Sequence, residues 1–415
     1  MHISFLAILF FLMFFVLLTT LFKKGSDIFS PARLFAMVWT FVLGLTELKL
    51  SYFQFSWSTY SWFVLLISLF SVLLGIFVVY VINYPGEQNS INFVRFSFIN
   101  SYLNKETLYK IIVGLFLAYI VSYIIIYLVV GFIPLFTAMP NVTRTKWSLF
   151  GFGLIVHLAP TILYFIVVYF LTTGMNLVNK FFLIIIFLIT FVSFLLLLQR
   201  FDLVISIILT VVFLYYGTKK FNPKTVFIVF FLFILFMYGI SSLRTSSFIL
   251  EYLHKTARMK YSSKFAMLTE PYMYFVMNLE NFAHAVNKMT TFNYGFYSFD
   301  FILALSGVKH WLSEYLNLTE FPYLVSRDYN TYGMFFAFYR DFGIVGVTVL
   351  PFIFGFVLGK LYFRMRKKPN LNTISFYGIF VMAIIFSFFN PMLSWLYFEL
   401  NLAIIYILTK QMIIK

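Results

Sequence analysis

The sequence predicts an all-α, polytopic integral membrane protein with about eleven transmembrane helices and one large extracytoplasmic loop carrying amphipathic helices. Three observations lead there. The 415 residues are 62% hydrophobic and 11% charged, with a mean hydropathy of +0.95, whereas soluble globular chains carry about 25% charged residues. Apolar runs close to the roughly 20 residues that cross a bilayer recur along the chain. One stretch, Arg244–Thr331, breaks that pattern. It holds eight of the thirty Lys and Arg, seven of the fourteen Asp and Glu and three of the five His.

The apolar runs fall at 3–22, 33–50, 60–82, 108–130, 151–172, 181–198, 203–217, 225–243, 342–363, 373–390 and 393–410. The first has no charged n-region and no small-residue cleavage site before Lys23, so it is expected to be a retained span. Alternating the spans sorts the loops into two sets, and one set holds seventeen basic residues, among them Lys219, Lys220, Arg364 and Lys368. Short basic loops resist translocation, which places this set in the cytoplasm, the N-terminus outside and the C-terminus inside. By the parity of the spans, 244–331 then lies on the outer face, as the one large loop of a single transmembrane domain, 1–415.

The chain has no cysteine, which excludes disulfides and thiolate metal sites. The five histidines show no metal-ligand spacing, so neither a metal nor a cofactor is expected. The net charge of +16 is accounted for by Lys and Arg at cytoplasmic helix ends, with no need for nucleic acid. His157 and Glu399 are the only ionisable groups well inside spans. Ion-coupled carriers bury more than this at mid-membrane.

Several outer-face residues are candidates for chemistry. Arg144 and Lys146 follow the helix-breaking Gly131-Phe-Ile-Pro134, and read either as side chains snorkelling to headgroups or as anion ligands. Arg200 sits in a tight turn between spans, as one half of an interfacial pair with Asp202 or as a bidentate ligand for a lipid-borne diphosphate. Arg244 ends the eighth span at the same level, Arg340 stands at the entry to the ninth, and Arg327 is a further candidate. The stretch Glu270–Met289 reads as an amphipathic helix lying on or dipping into the outer leaflet, with Glu280, Asn281, His284, Asn287 and Lys288 on its polar side. Candidate bases on this face are His254, His284, His310, Glu270, Glu280 and Asp341. His284 leads because an imidazole needs little tuning for general-base work near neutral pH and one turn either side of it is polar. Asp341 follows, as a base beside Arg340 or as a structural acceptor for another Arg.

The pattern Asn330-Thr-Tyr-Gly…Phe338-Tyr-Arg-Asp-Phe-Gly-Ile-Val-Gly346, a span bearing Pro351, Gly355 and Gly359, Gly131-Phe-Ile-Pro-Leu followed by Arg144, and Arg200 at a tight turn together resemble the oligosaccharide repeat-unit polymerase (O-antigen polymerase, Wzy-type) family. The paired outer-loop Arg and Gly motif of some members is not evident. The resemblance implies a membrane glycosyltransferase that joins undecaprenyl-diphosphate-linked oligosaccharide units into a surface polysaccharide (O-antigen, capsule or exopolysaccharide) outside the cytoplasmic membrane. A flippase and a chain-length regulator would be its partners, and Arg144, Arg200, Arg244, Arg340 and Arg327 would hold the diphosphate. A ligase using the same donor, or a flippase for lipid-linked oligosaccharides, are the alternative readings.

Overall fold

The computed structural model describes residues 4–23, 26–83, 103–171, 177–217, 225, 228, 247–315 and 323–412. Among them all regular structure is helical, apart from isolated bridge residues, of which Ser51 and Met259 form an antiparallel pair. Among the described residues, five helical segments are long and apolar enough to cross a membrane: Thr59–Asn83, Lys105–Phe136, Phe152–Phe170, Leu177–Leu196 and Met334–Lys367. Shorter apolar helices occupy Phe5–Leu21, Asp202–Gly217 and Leu371–Ile385. The protein is therefore a helical membrane protein. Helices stand at ten of the eleven expected stretches; the run at 225–243, apart from 225 and 228, lies outside the described residues.

The chain divides into two compact units. The first comprises Met1–Ile91, Asn222–Phe363 and Ala383–Leu396. Its membrane helices approach closely through glycine. A Cβ on Gly355 would overlap the backbone carbonyl of Val72, and one on Gly75 the carbonyl of Phe352, so the Thr59–Asn83 and Met334–Lys367 helices pack backbone to backbone. The second of these helices breaks at Gly343, where φ is 58 and ψ −137. A side chain there would be strained by the left-handed φ and would meet the Phe292 ring at 2.7 Å.

The Thr269–Lys288 helix departs from the surface position expected of it. Asn278, Glu280 and Asn281 are buried, as are Tyr272, Met273, Val276 and Met277. Glu280 and Asn281 of the polar stripe face protein, while Asn287 and Lys288 stay exposed. The Glu280 carboxylate is fully buried and accepts from Lys49 Nζ (3.0 Å), Gln54 Nε2 (3.3 Å) and Trp57 Nε1 (2.8 Å). Asn281 donates to the carbonyls of Tyr329 (2.7 Å) and Thr331 (3.0 Å) and accepts from Val325 N–H (3.0 Å). These two neighbours tie the 48–57 connection and the 325–331 return segment to one helix. Buried polar groups need such partners, and here they have them.

The second unit comprises Asn92–Phe221, Arg364–Met382 and Tyr397–Lys415. Its Lys105–Val130 helix ends on Gly131, left-handed at φ 79, whose N–H returns to the Tyr127 carbonyl (2.8 Å). This is the helix stop anticipated from Gly131 and Pro134.

Candidate functional site

In the second unit, the segment leaving Gly131 forms the short Pro140–Lys146 helix and then enters the next span as two pieces, Phe152–Val156 and Ala159–Phe170. His157 sits at the break. Its carbonyl, freed from the helical ladder, accepts from Asn401 Nδ2 (2.8 Å). Asn401 Oδ1 in turn accepts from Thr161 (2.5 Å). The interruption is thus held open by side chains that satisfy its backbone, as apolar surroundings require.

The break aims the His157 ring sideways. Nδ1 lies 2.6 Å from Asp202 Oδ2, and the ring stacks on Tyr397, centroids 4.9 Å apart. Asp202 is buried, with 5% of its side chain exposed, while the His157 side chain keeps 22% exposure. An ionised carboxylate has no hydrogen to donate, so in the neutral imidazole the hydrogen sits on Nδ1 and Nε2 carries the lone pair. With Nδ1 so paired, Nε2 is the ring nitrogen left to accept a hydrogen.

His157 lines a cavity of about 320 Å³, with Arg144, Thr145, Trp147, Ser148 and Gln199 on its other walls. Gln199 follows Leu198, a buried leucine at φ 61. A branched residue in the left-handed region is strained, and such strain clusters at functional sites. Gln199 Oε1 is buried with no hydrogen-bond partner among the described residues. The cavity thus brings together an exposed guanidinium, an oriented imidazole and an amide oxygen with no partner among the described residues. The segment bearing Arg144 also exposes Phe136 (73%), Met139 (68%) and Phe150 (86%), apolar side chains beside the charge in sequence.

The other sequence candidates occupy several settings. Arg200 begins the Arg200–Gly217 helix of this same unit; its side chain, that of His310 and the whole of Arg244 lie outside the described residues. Asp202, read from sequence as a neighbour for Arg200, has His157 as its partner. Arg327 and Arg340 belong to the first unit. Arg327 is exposed. Arg340 is buried, its guanidinium 3.4 Å over the Tyr297 ring and 5.7 Å from that of Phe336. The Asp341 carboxylate is fully buried and accepts from the backbone N–H of Tyr297 (3.0 Å) and Ser298 (2.5 Å). Backbone amides are thus the partners of Asp341, which was expected either to accept from another Arg or to act as a base. His284 is half-buried with its ring against Phe55, centroids 6.0 Å apart; burial and then the Lys288 charge hold its pKa below the usual histidine value. His254 is buried, with Nε2 lacking a partner among the described residues. Glu270 is half-buried at the start of the Thr269–Lys288 helix.

Sequence reasoning passed over His157 as a base. The usable signal was there: an ionisable residue inside an apolar span, followed two residues later by Ala159-Pro160. Compared with protein-family models, with curated proteins and with solved structures, the chain has no match.

Proposed function

We propose that this protein is a polymerase of about eleven spans that joins undecaprenyl-diphosphate-linked oligosaccharide units on the outer face of the cytoplasmic membrane, and that the His157 cavity is where the bond forms. The observation that carries this reading is His157, held by Asp202, lining the same cavity as Arg144. Transfer of a sugar from a lipid diphosphate needs one group to take a proton and one to meet negative charge. The acceptor hydroxyl oxygen attacks the anomeric carbon of the donor's reducing-end sugar. The bond from that carbon to the diphosphate oxygen breaks, and its electron pair leaves with the diphosphate. His157 Nε2 takes the hydroxyl proton while Asp202 holds the ring and stabilises the imidazolium. Arg144 faces the diphosphate as charge develops on it. Arg200, at the start of the neighbouring helix, is the second cation we assign to that group. The exposed Phe136, Met139 and Phe150 suit a substrate that arrives on a lipid.

The test is the glycan of a deletion strain. Single lipid-linked units accumulating on the outer leaflet, with long chains restored by the parent gene and not by His157→Ala at equal protein level, is the expected outcome. Long chains retained on the lipid carrier would identify a ligase instead. Units held on the inner leaflet would identify a flippase.

A further inference from the structure

The first unit carries a feature that the proposed chemistry does not use. Helices Asp300–Leu305 and Val308–Tyr315 form a hairpin turning at Gly307, φ 73, with Lys309 Nζ bonded to Asp300 (2.8 Å) across it. No residue of the first helix is buried. Ile302 (51% exposed), Leu305 (64%), Val308 (39%) and Trp311 (66%) present apolar side chains outward. Left in water, such a patch would be a liability.

The hairpin's height relative to the membrane follows from its root. Asn293 and Tyr294 donate backbone N–H groups to the carbonyls of Arg340 and Asp341, each at 3.0 Å. The Asp341 carboxylate holds the amides of Tyr297 and Ser298. Residues 293–298 are therefore stitched to Arg340 and Asp341, a short step before the Gly343 break. Immediately after the break the span begins to show the exposed apolar stripe of a lipid-facing helix: Val345 (65%), Val349 (49%) and Ile353 (49%). The hairpin thus leaves the protein where that stripe starts, at the edge of the hydrocarbon.

We propose that the 300–315 hairpin is a membrane-interface anchor whose occupant is lipid, with Ile302, Leu305 and Trp311 seated at the boundary between headgroups and acyl chains. Three properties set it apart from a protein-docking surface: its root at a span mouth, its continuity with a lipid-facing stripe, and a tryptophan at its far leg, a residue that favours this boundary. The Asp300–Lys309 pair then sits on the headgroup side.

The absence of cysteine from the chain makes site-directed spin labelling direct. Single cysteines at Ile302, Leu305 and Trp311, with Val345 as the span reference, are labelled in the full protein in lipid nanodiscs. Collision with oxygen is compared with collision with a water-soluble nickel chelate. The expected result is preference for oxygen at all three hairpin sites, weaker than at Val345. Preference for the chelate at the three sites overturns the proposal by placing the face in water. Immobilised labels with little collision by either reagent overturn it in favour of a second copy of the chain. Quenching of the unlabelled protein by lipids brominated near the headgroup supplies an independent reading: Trp311→Phe should reduce the quenched signal, and an unchanged quenched signal would count against the anchor.

Discussion

Replacing Glu280 should separate packing from charge in the first unit. The carboxylate is fully buried and is an acceptor for Lys49, Gln54 and Trp57. Glu280→Leu removes the acceptor for all three. It leaves Lys49, whose other carboxylate is Glu47 at 3.3 Å, and a buried indole N–H that has lost its bond. Breaking a fully buried ion pair from one side costs about 3–5 kcal/mol; Lys49 keeps Glu47 and 22% exposure, so the loss should lie at or below the lower end of that range. Glu280→Gln keeps the shape and one acceptor oxygen and leaves one donor facing an amide NH₂, for a cost of about 1–3 kcal/mol. The pH dependence has a definite sign. Burial, opposed by Lys49, raises the Glu280 pKa above the usual glutamate value. A raised folded-state pKa means that the folded state holds the proton more tightly than the unfolded chain. The resulting stability is full below the unfolded pKa and is lost as pH rises through the folded one. The gap between parent and Glu280→Gln should therefore narrow as pH climbs from the carboxylate range. The assay is reversible unfolding in mixed micelles by titration with a denaturing detergent, followed through tryptophan fluorescence at several pH values. A Glu280→Leu protein as stable as the parent would refute the reasoning.

Three further outcomes follow from the same unit. Gly343→Ala forces a Cβ onto a φ of 58 and against Phe292; it should cost at least about 1–2 kcal/mol in the same unfolding measurement. Gly355→Leu inserts a side chain where Val72 backbone already lies, and should sharply reduce the monodisperse peak in fluorescence-detected gel filtration, whereas Gly114→Leu, with open space around it, should not. Asp341→Ala strips the acceptor from the Tyr297 and Ser298 amides, at about 1–3 kcal/mol, and should speed limited proteolysis within 290–299 more than elsewhere.

The helices were legible because a bilayer enforces a composition rule: an apolar run of sufficient length has little alternative to a helix in lipid. The stop at Gly131 was legible for the same local reason. What failed to show was direction. Periodicity put Glu280, Asn281 and His284 on one stripe, but a polar stripe in a membrane protein can face water or protein, and the partners that decide, Lys49 and Trp57, lie over two hundred residues away. The His157–Asp202 pair joins two helices 45 positions apart. A histidine in a span and an aspartate beside Arg200 were each visible, yet nothing local links them. Arg340 and Asp341 were expected to have separate partners, but both meet Tyr297, one at its ring and the other at its backbone amide, a convergence that is a property of the folded loop.

The measurement that bears most directly on the central claim is the joining rate with lipid-linked units isolated from the deletion strain and protein reconstituted in nanodiscs, for the parent, His157→Ala and Asp202→Asn. A general base contributes about 10²–10⁴-fold, and His157→Ala should lose that factor while still binding the donor. Asp202→Asn turns an amide N–H toward Nδ1, pushes the ring hydrogen to Nε2 and should fall within the same range, although no atom that touches substrate has been removed. Chain extension at the parent rate by His157→Ala, with folded protein and donor binding unchanged, would contradict the assignment of this cavity as the place where the bond forms.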